Sequence, residues 1–105
     1  MNSYEISIGD YAIADLKSIY DLIAQSSNNQ AKKQVNALLK TIGSLDNLPF
    51  RNPIEPNLKD EAEIYRFALY GNYKIIYYID SQNDTVVIVR IFDTRKNPDK
   101  LKSSE

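Results

Sequence analysis

Residues 64–98 read IYRFALYGNYKIIYYIDSQNDTVVIVRIFDTRKNP, three apolar and aromatic runs separated by two short turn sequences. β-Branched and aromatic residues dominate the runs, which predicts strands over residues 62–69, 72–80 and 85–93. Tyr70-Gly71-Asn72 and Ser81-Gln82-Asn83-Asp84 supply the hairpin turns. Single bases interrupt otherwise uncharged strands: Arg66 in the first, Lys74 in the second and Arg90 in the third, with Arg95 and Lys96 just beyond. A lone charge is expensive to bury without a partner, so each base marks a face open to water, salt-bridged, or kept for an anionic ligand.

Upstream, Tyr4, Ile6 and Ile8 alternate with Glu5 and Ser7, the period-2 pattern of a half-buried strand. Gly9-Asp10 then punctuates the chain, with Asp10 a candidate N-cap. Ala12, Leu16, Ile19, Tyr20 and Ile23 recur at helical spacing, and Asp15, Lys17, Ser18 and Asp21 fall between them. Residues 26–29 break that stripe and offer a second cap. Ala31, Val35, Leu38, Ile42 and Leu45 carry a second helical stripe, widened by Leu39. Asp15, Asp21, Lys32, Lys33 and Lys40 read as solvated helix faces. Residues 48–59 contain Pro49, Pro53 and Pro56 without periodicity and read as a crossing loop.

Strand, two helices and three strands predict an α+β fold. An antiparallel β-sheet, made of the N-terminal strand and the C-terminal three-strand meander, packs on an αα-hairpin. At 105 residues the chain forms one domain, residues 1–105. The segment after Asn97-Pro98 is polar and is expected to fray.

Alternation along the strands gives each one an uncharged apolar face and one interrupted by a base. Placing the uncharged faces on the helices gathers Arg66, Lys74 and Arg90 on an outer face with Ile64, Ile76, Tyr78, Ile88 and Phe92. Such a face is either a partner site or a floor for the 48–60 loop and the C-terminal tail. The eight tyrosines suit interfaces, where a ring packs and its hydroxyl stays wet, and equally suit strand interiors.

Composition narrows the chemistry. The chain has no histidine and no cysteine, which excludes Cys/His zinc sites, Ser-His hydrolysis, thiolate chemistry and disulfides. No cofactor or metal is called for, and no Gly-rich phosphate loop occurs, since the three glycines lie far apart. Thirteen basic against fourteen acidic residues give a net charge of −1, unlike the basic excess of dedicated nucleic-acid binders. There is no apolar run of about 18 residues and no signal-peptide pattern, so the expected location is cytoplasmic, away from any membrane.

In the order and spacing of these pieces the chain resembles the RelE/ParE superfamily of bacterial type II toxins. The resemblance rests on Tyr4-Glu5-Ile6-Ser7-Ile8, Ala14-Asp15-Leu16-Lys17-Ser18-Ile19, Ile42-Gly43-Ser44-Leu45, Ile64-Tyr65-Arg66, Asn72-Tyr73-Lys74-Ile75-Ile76-Tyr77 and Arg95-Lys96-Asn97-Pro98. It implies a plasmid-stabilising growth inhibitor neutralised by a cognate antitoxin in a hetero-oligomer, through a flexible antitoxin segment that folds onto apolar grooves. RelE-like members cleave mRNA on the ribosome without a metal; ParE-like members bind and poison DNA gyrase without catalysis.

Carried over by position, the nuclease pattern makes Arg66, Lys74 and Arg95 the candidate catalytic bases. Ala68 and Asp93 stand where that group places basic residues or histidine, and no tyrosine follows Tyr78. The ParE-like reading, a gyrase binder, is therefore favoured. Its partner-binding candidates are Arg66, Lys74, Tyr78, Arg90, Phe92 and Arg95.

Overall fold

The computed structural model describes residues 3–59 and 61–96. Strand β1 (Glu5–Ile8) leads through Gly9 into helix α1 (Asp10–Ala24), and α2 (Asn28–Gly43) completes the hairpin. A Cβ on Gly9 would lie 3.1 Å from the Ile88 carbonyl oxygen, a tight approach that the missing side chain relieves. Gly9 is also the N-cap, and Asp10 opens the helix, where its charge suits the positive end of the dipole. The second cap is as expected: the Ser27 hydroxyl accepts the Gln30 N–H at 3.2 Å.

Three short 3₁₀ turns, Ser44–Asp46, Pro49–Arg51 and Pro56–Leu58, carry the chain to β2 (Arg66–Tyr70), β3 (Tyr73–Asp80) and β4 (Thr85–Asp93). The first of these strands starts at Arg66, four residues later than the sequence pattern suggests. Gly71, at φ +57°, forms the two-residue β2–β3 turn with Asn72. The sheet order is β1-β4-β3-β2. The α+β class holds, but the sheet is mixed: the N-terminal strand pairs parallel with β4, Glu5 opposite Thr85 through Ile8 opposite Ile88. The αα-hairpin carries the chain from β1 at one sheet edge to β2 at the other, and β3 and β4 then return across the sheet to place β4 beside β1.

The helices bury Ala12, Leu38 and Ile42 against Ala68, Ile75, Tyr77, Val86, Ile88 and Ile91. A smaller cluster of Leu58, Ile76 and Phe92, flanked by Tyr65, Phe67 and Val89, fills the opposite face. Only β3 presents to the helices the face the uncharged-side argument assigns. In β2 the helix side carries Ala68 and Tyr70, while Phe67 faces outward. In β4 a bulge changes the parity: Ile76 pairs with Arg90 but Tyr77 pairs with Ile88, leaving Val89 as the extra residue. Val86 and Ile88 point to the helices before the bulge, and Ile91 does so after it.

Candidate functional site

The bases expected on one outer face have three different sets of neighbours. Arg66 pairs across the ladder with Tyr77 and shares its side of the sheet, where its guanidinium donates to the carbonyls of Asn52 (2.7 Å) and Phe50 (3.3 Å). Its head also lies 5.5 Å from the centre of the Phe50 ring. Lys74 does lie on the outer face. There its Nζ stands 2.7 Å from a fully buried Glu55 carboxylate and 4.4 Å from the Phe67 ring centre.

Arg90 turns the other way. Its guanidinium reaches α1, where Nε and Nη2 donate to the two Asp15 oxygens at 2.7 and 3.0 Å. The Ile91 N–H donates to the same carboxylate at 2.8 Å. Asp15, read from sequence as a solvated helix residue, is thus a half-buried structural acid. Beyond the sheet, Arg95 forms a two-pronged pair with Asp93, at 2.9 and 2.8 Å.

The electrostatics agree with the geometry. Burial pushes the Glu55 carboxyl up, but hydrogen bonds from Lys74 and Asn57 outweigh it and hold it below its ordinary range. The hydrogen bonds to Asp15 raise the Arg90 pKa, outweighing burial, and the Arg95 hydrogen bond lowers that of Asp93. Burial raises the Tyr65, Tyr73 and Tyr77 hydroxyls, so these groups stay neutral near pH 7.

The two remaining partner candidates belong to the outer-face cluster. Phe92 is buried beneath Leu58, and Tyr78 stands edge-on to Tyr65, ring centres 5.9 Å apart. The 48–59 loop therefore covers part of the face that parity leaves open. Ala68, in the position of a nuclease base, is buried under the helices. The expectation of fraying after Asn97-Pro98 lies outside the described residues.

A groove of about 210 Å³ runs between α1 and the end of β4, with Ser18, Ile19, Leu22, Tyr73 and Lys96 among its walls. Its two acids, Asp15 and Asp93, are neutralised by Arg90 and Arg95. Among the described residues no cluster of three or more acids converges to hold a metal, and no helix is long and apolar enough to cross a membrane.

Asp15, Glu55 and Tyr77 are the organising residues that sequence reasoning missed. One signal was available for Asp15: it lies three residues after Ala12 and four before Ile19, at the edge of the buried stripe, where an acid can meet a strand base.

Comparison with known proteins places this geometry. Residues 6–98 match the family model described as the ParE toxin of the type II toxin–antitoxin system parDE. A search of curated protein sequences found no match. Among solved structures, the fold is similar to a chain of the chromosomal ParDE system from P. aeruginosa. The TM-score is 0.69 and the identity 17%, covering 87% of this chain and 96% of that one. It is also similar to a chain of the RelBE2 toxin–antitoxin complex from Mycobacterium tuberculosis, with TM-score 0.65, 24% identity, and coverage of 89% and 93%. A chain of the archaeal RelE–RelB complex from Pyrococcus horikoshii OT3 gives TM-score 0.61 and 14% identity, with coverage of 90% and 99%.

Proposed function

The chain belongs to the ParE toxin family of type II toxin–antitoxin systems, and from that premise we propose that it arrests growth by binding DNA gyrase and is silenced by a cognate antitoxin. One observation carries the choice of a binding mechanism over RNA cleavage: the bases available for phosphate chemistry are already engaged within the chain. Lys74 is held by Glu55, Arg90 by Asp15 and Arg95 by Asp93, while Arg66 is pinned to backbone carbonyls.

A metal-independent ribonuclease must offer cations to a phosphate whose charge grows in the transition state. Here Lys74, Arg90 and Arg95 would first have to give up their carboxylates and Arg66 its loop carbonyls, and Ala68 supplies no charge. The net charge of −1 adds little attraction toward the RNA phosphates of a ribosome. The solved relatives named above come from toxin–antitoxin systems, which supports an antitoxin as the physiological partner.

Arg95→Ala tests this reading, because Arg95 is exposed and its loss leaves the core intact. Ribosome-bound message should stay uncut in cells producing either the variant or the parent, although the parent arrests growth. Message cleavage by the parent that disappears with Arg95→Ala would refute it.

A further inference from the structure

The loop entering β2 is held tightly, yet it presents apolar side chains to water. The Tyr77 hydroxyl donates to the Pro49 carbonyl at 2.6 Å and accepts from Asn52 Nδ2 at 3.0 Å. Arg66 clamps the Phe50 and Asn52 carbonyls, the Phe67 N–H donates to the Pro53 carbonyl, and the Glu55 N–H donates to the Tyr65 carbonyl. Through these bonds the loop forms a short outer bridge to the edge strand, Ile54 opposite Arg66.

Despite this anchoring, Leu48 is 65% exposed, Phe50 52%, Ile54 48% and Ile64 65%. Phe50, Ile64 and Arg66 line one cleft of about 280 Å³, together with Ala62, Glu63 and Ile79. Leu48 also adopts a left-handed conformation, φ +52°, which a branched apolar residue rarely takes. A loop fixed by this many bonds could hold polar side chains at those positions more cheaply; backbone strain and ordered apolar exposure together are features of binding sites.

The charges indicate the partner. Among the described residues Arg66 bonds only to carbonyls and Arg51 to the Asn47 carbonyl, so neither guanidinium has a described carboxylate opposite it. Glu63 offsets one of the two charges and makes the cleft unfavourable for a polyphosphate. Aliphatic side chains beside arginines with unneutralised charge suit a polypeptide presenting apolar residues and a carboxylate.

We propose that the Leu48–Phe50–Ile54–Ile64 surface, with Arg51 and Arg66, is a preformed docking site for an apolar, acidic segment of the antitoxin. The inference rests on the antitoxin partner proposed above. A surface already rigid avoids the ordering cost on the toxin side, leaving only the arriving segment to fold.

The probe is the polypeptide whose co-expression restores growth to cells making this chain, and the readouts are its Kd, the toxin's Tm and growth arrest. Leu48→Asn is the first variant, because asparagine accepts the left-handed conformation and the side chain it replaces is mostly in water. Ile64→Ser is the second, on a different segment. Each should weaken antitoxin binding by about tenfold, the scale of a buried anchor, while Tm and antitoxin-free growth arrest stay unchanged. Unchanged Kd in both variants would overturn the proposal and leave the antitoxin partnership standing. Lost growth arrest with normal antitoxin binding would overturn it too, since the surface would then face the poisoned target. If no polypeptide restores growth, the partner reading itself fails and takes this one with it.

Discussion

Asp15 on the first helix and Arg90 on the last strand, 75 positions apart, form a two-pronged ion pair at 2.7 and 3.0 Å. The pair fastens the helical hairpin to the sheet at the point where the β4 bulge redirects the strand. Removing one side leaves a half-buried charge without its partner. Asp15→Asn should therefore cost about 2–4 kcal/mol. That corresponds to a fall in Tm of roughly 10 °C or more for a domain of this size. Paired Asp15→Leu and Arg90→Met should recover much of the loss, which a double-mutant thermal unfolding cycle would measure.

Tyr77 is the internal post of the loop entering β2. Tyr77→Phe keeps the ring in the core but removes the hydroxyl shared by Pro49 and Asn52. The expected cost is about 1–2 kcal/mol. Hydrogen exchange should rise at the Glu55 and Phe67 amides, whose acceptors and donors hold the loop to the edge strand.

Acid should loosen the Glu55–Lys74 pair. Glu55 is held below its ordinary value of 4.5, so near that pH the unfolded chain binds more protons than the folded one. The pair's contribution is complete above the unfolded value and is lost as pH falls through the folded one. Urea unfolding followed from pH 7 to pH 3 should show this loss, and Glu55→Gln should flatten that part of the profile. At pH 7 the same variant should be less stable by about 2–3 kcal/mol, because Lys74 loses its carboxylate.

Restoring a base at residue 68 should not create a nuclease. Ala68 is buried opposite Ile75 beneath the helices, so Ala68→Arg forces a charge and a long side chain into filled space. The expected result is loss of folded protein by circular dichroism, with no gain in cleavage of ribosome-bound message.

Much of the architecture is legible in the chain because each segment has one strong periodicity. The stripe from Ala12 to Ile23 matches α1, that from Ala31 to Ile42 matches α2 with Leu45 in the 3₁₀ turn beyond it, and the β3 and β4 runs match their strands closely. The directions of Arg66 and Arg90 were not legible. Alternation keeps Arg90 with Val86 and Ile88, but these residues meet the helices rather than the outer face, so Arg90 reaches α1, and the bulge at Val89 then lets Ile91 face the helices as well. Arg66 escapes the uncharged-face rule because it sits at the sheet edge, where loop carbonyls rather than the helices meet it. The partner acids were hidden for a related reason: the place of Asp15 at the edge of the buried stripe does not name a partner 75 positions away, and nothing local to Glu55 reveals one 19 positions away.

The central claim is that this chain arrests growth by binding gyrase without cutting RNA. Purified protein added to a gyrase supercoiling reaction and, at the same concentration, to a ribosome-dependent translation extract tests it most directly. Supercoiling should stop while translation continues and the message stays full-length. Untouched supercoiling with message cut on the ribosome would contradict it.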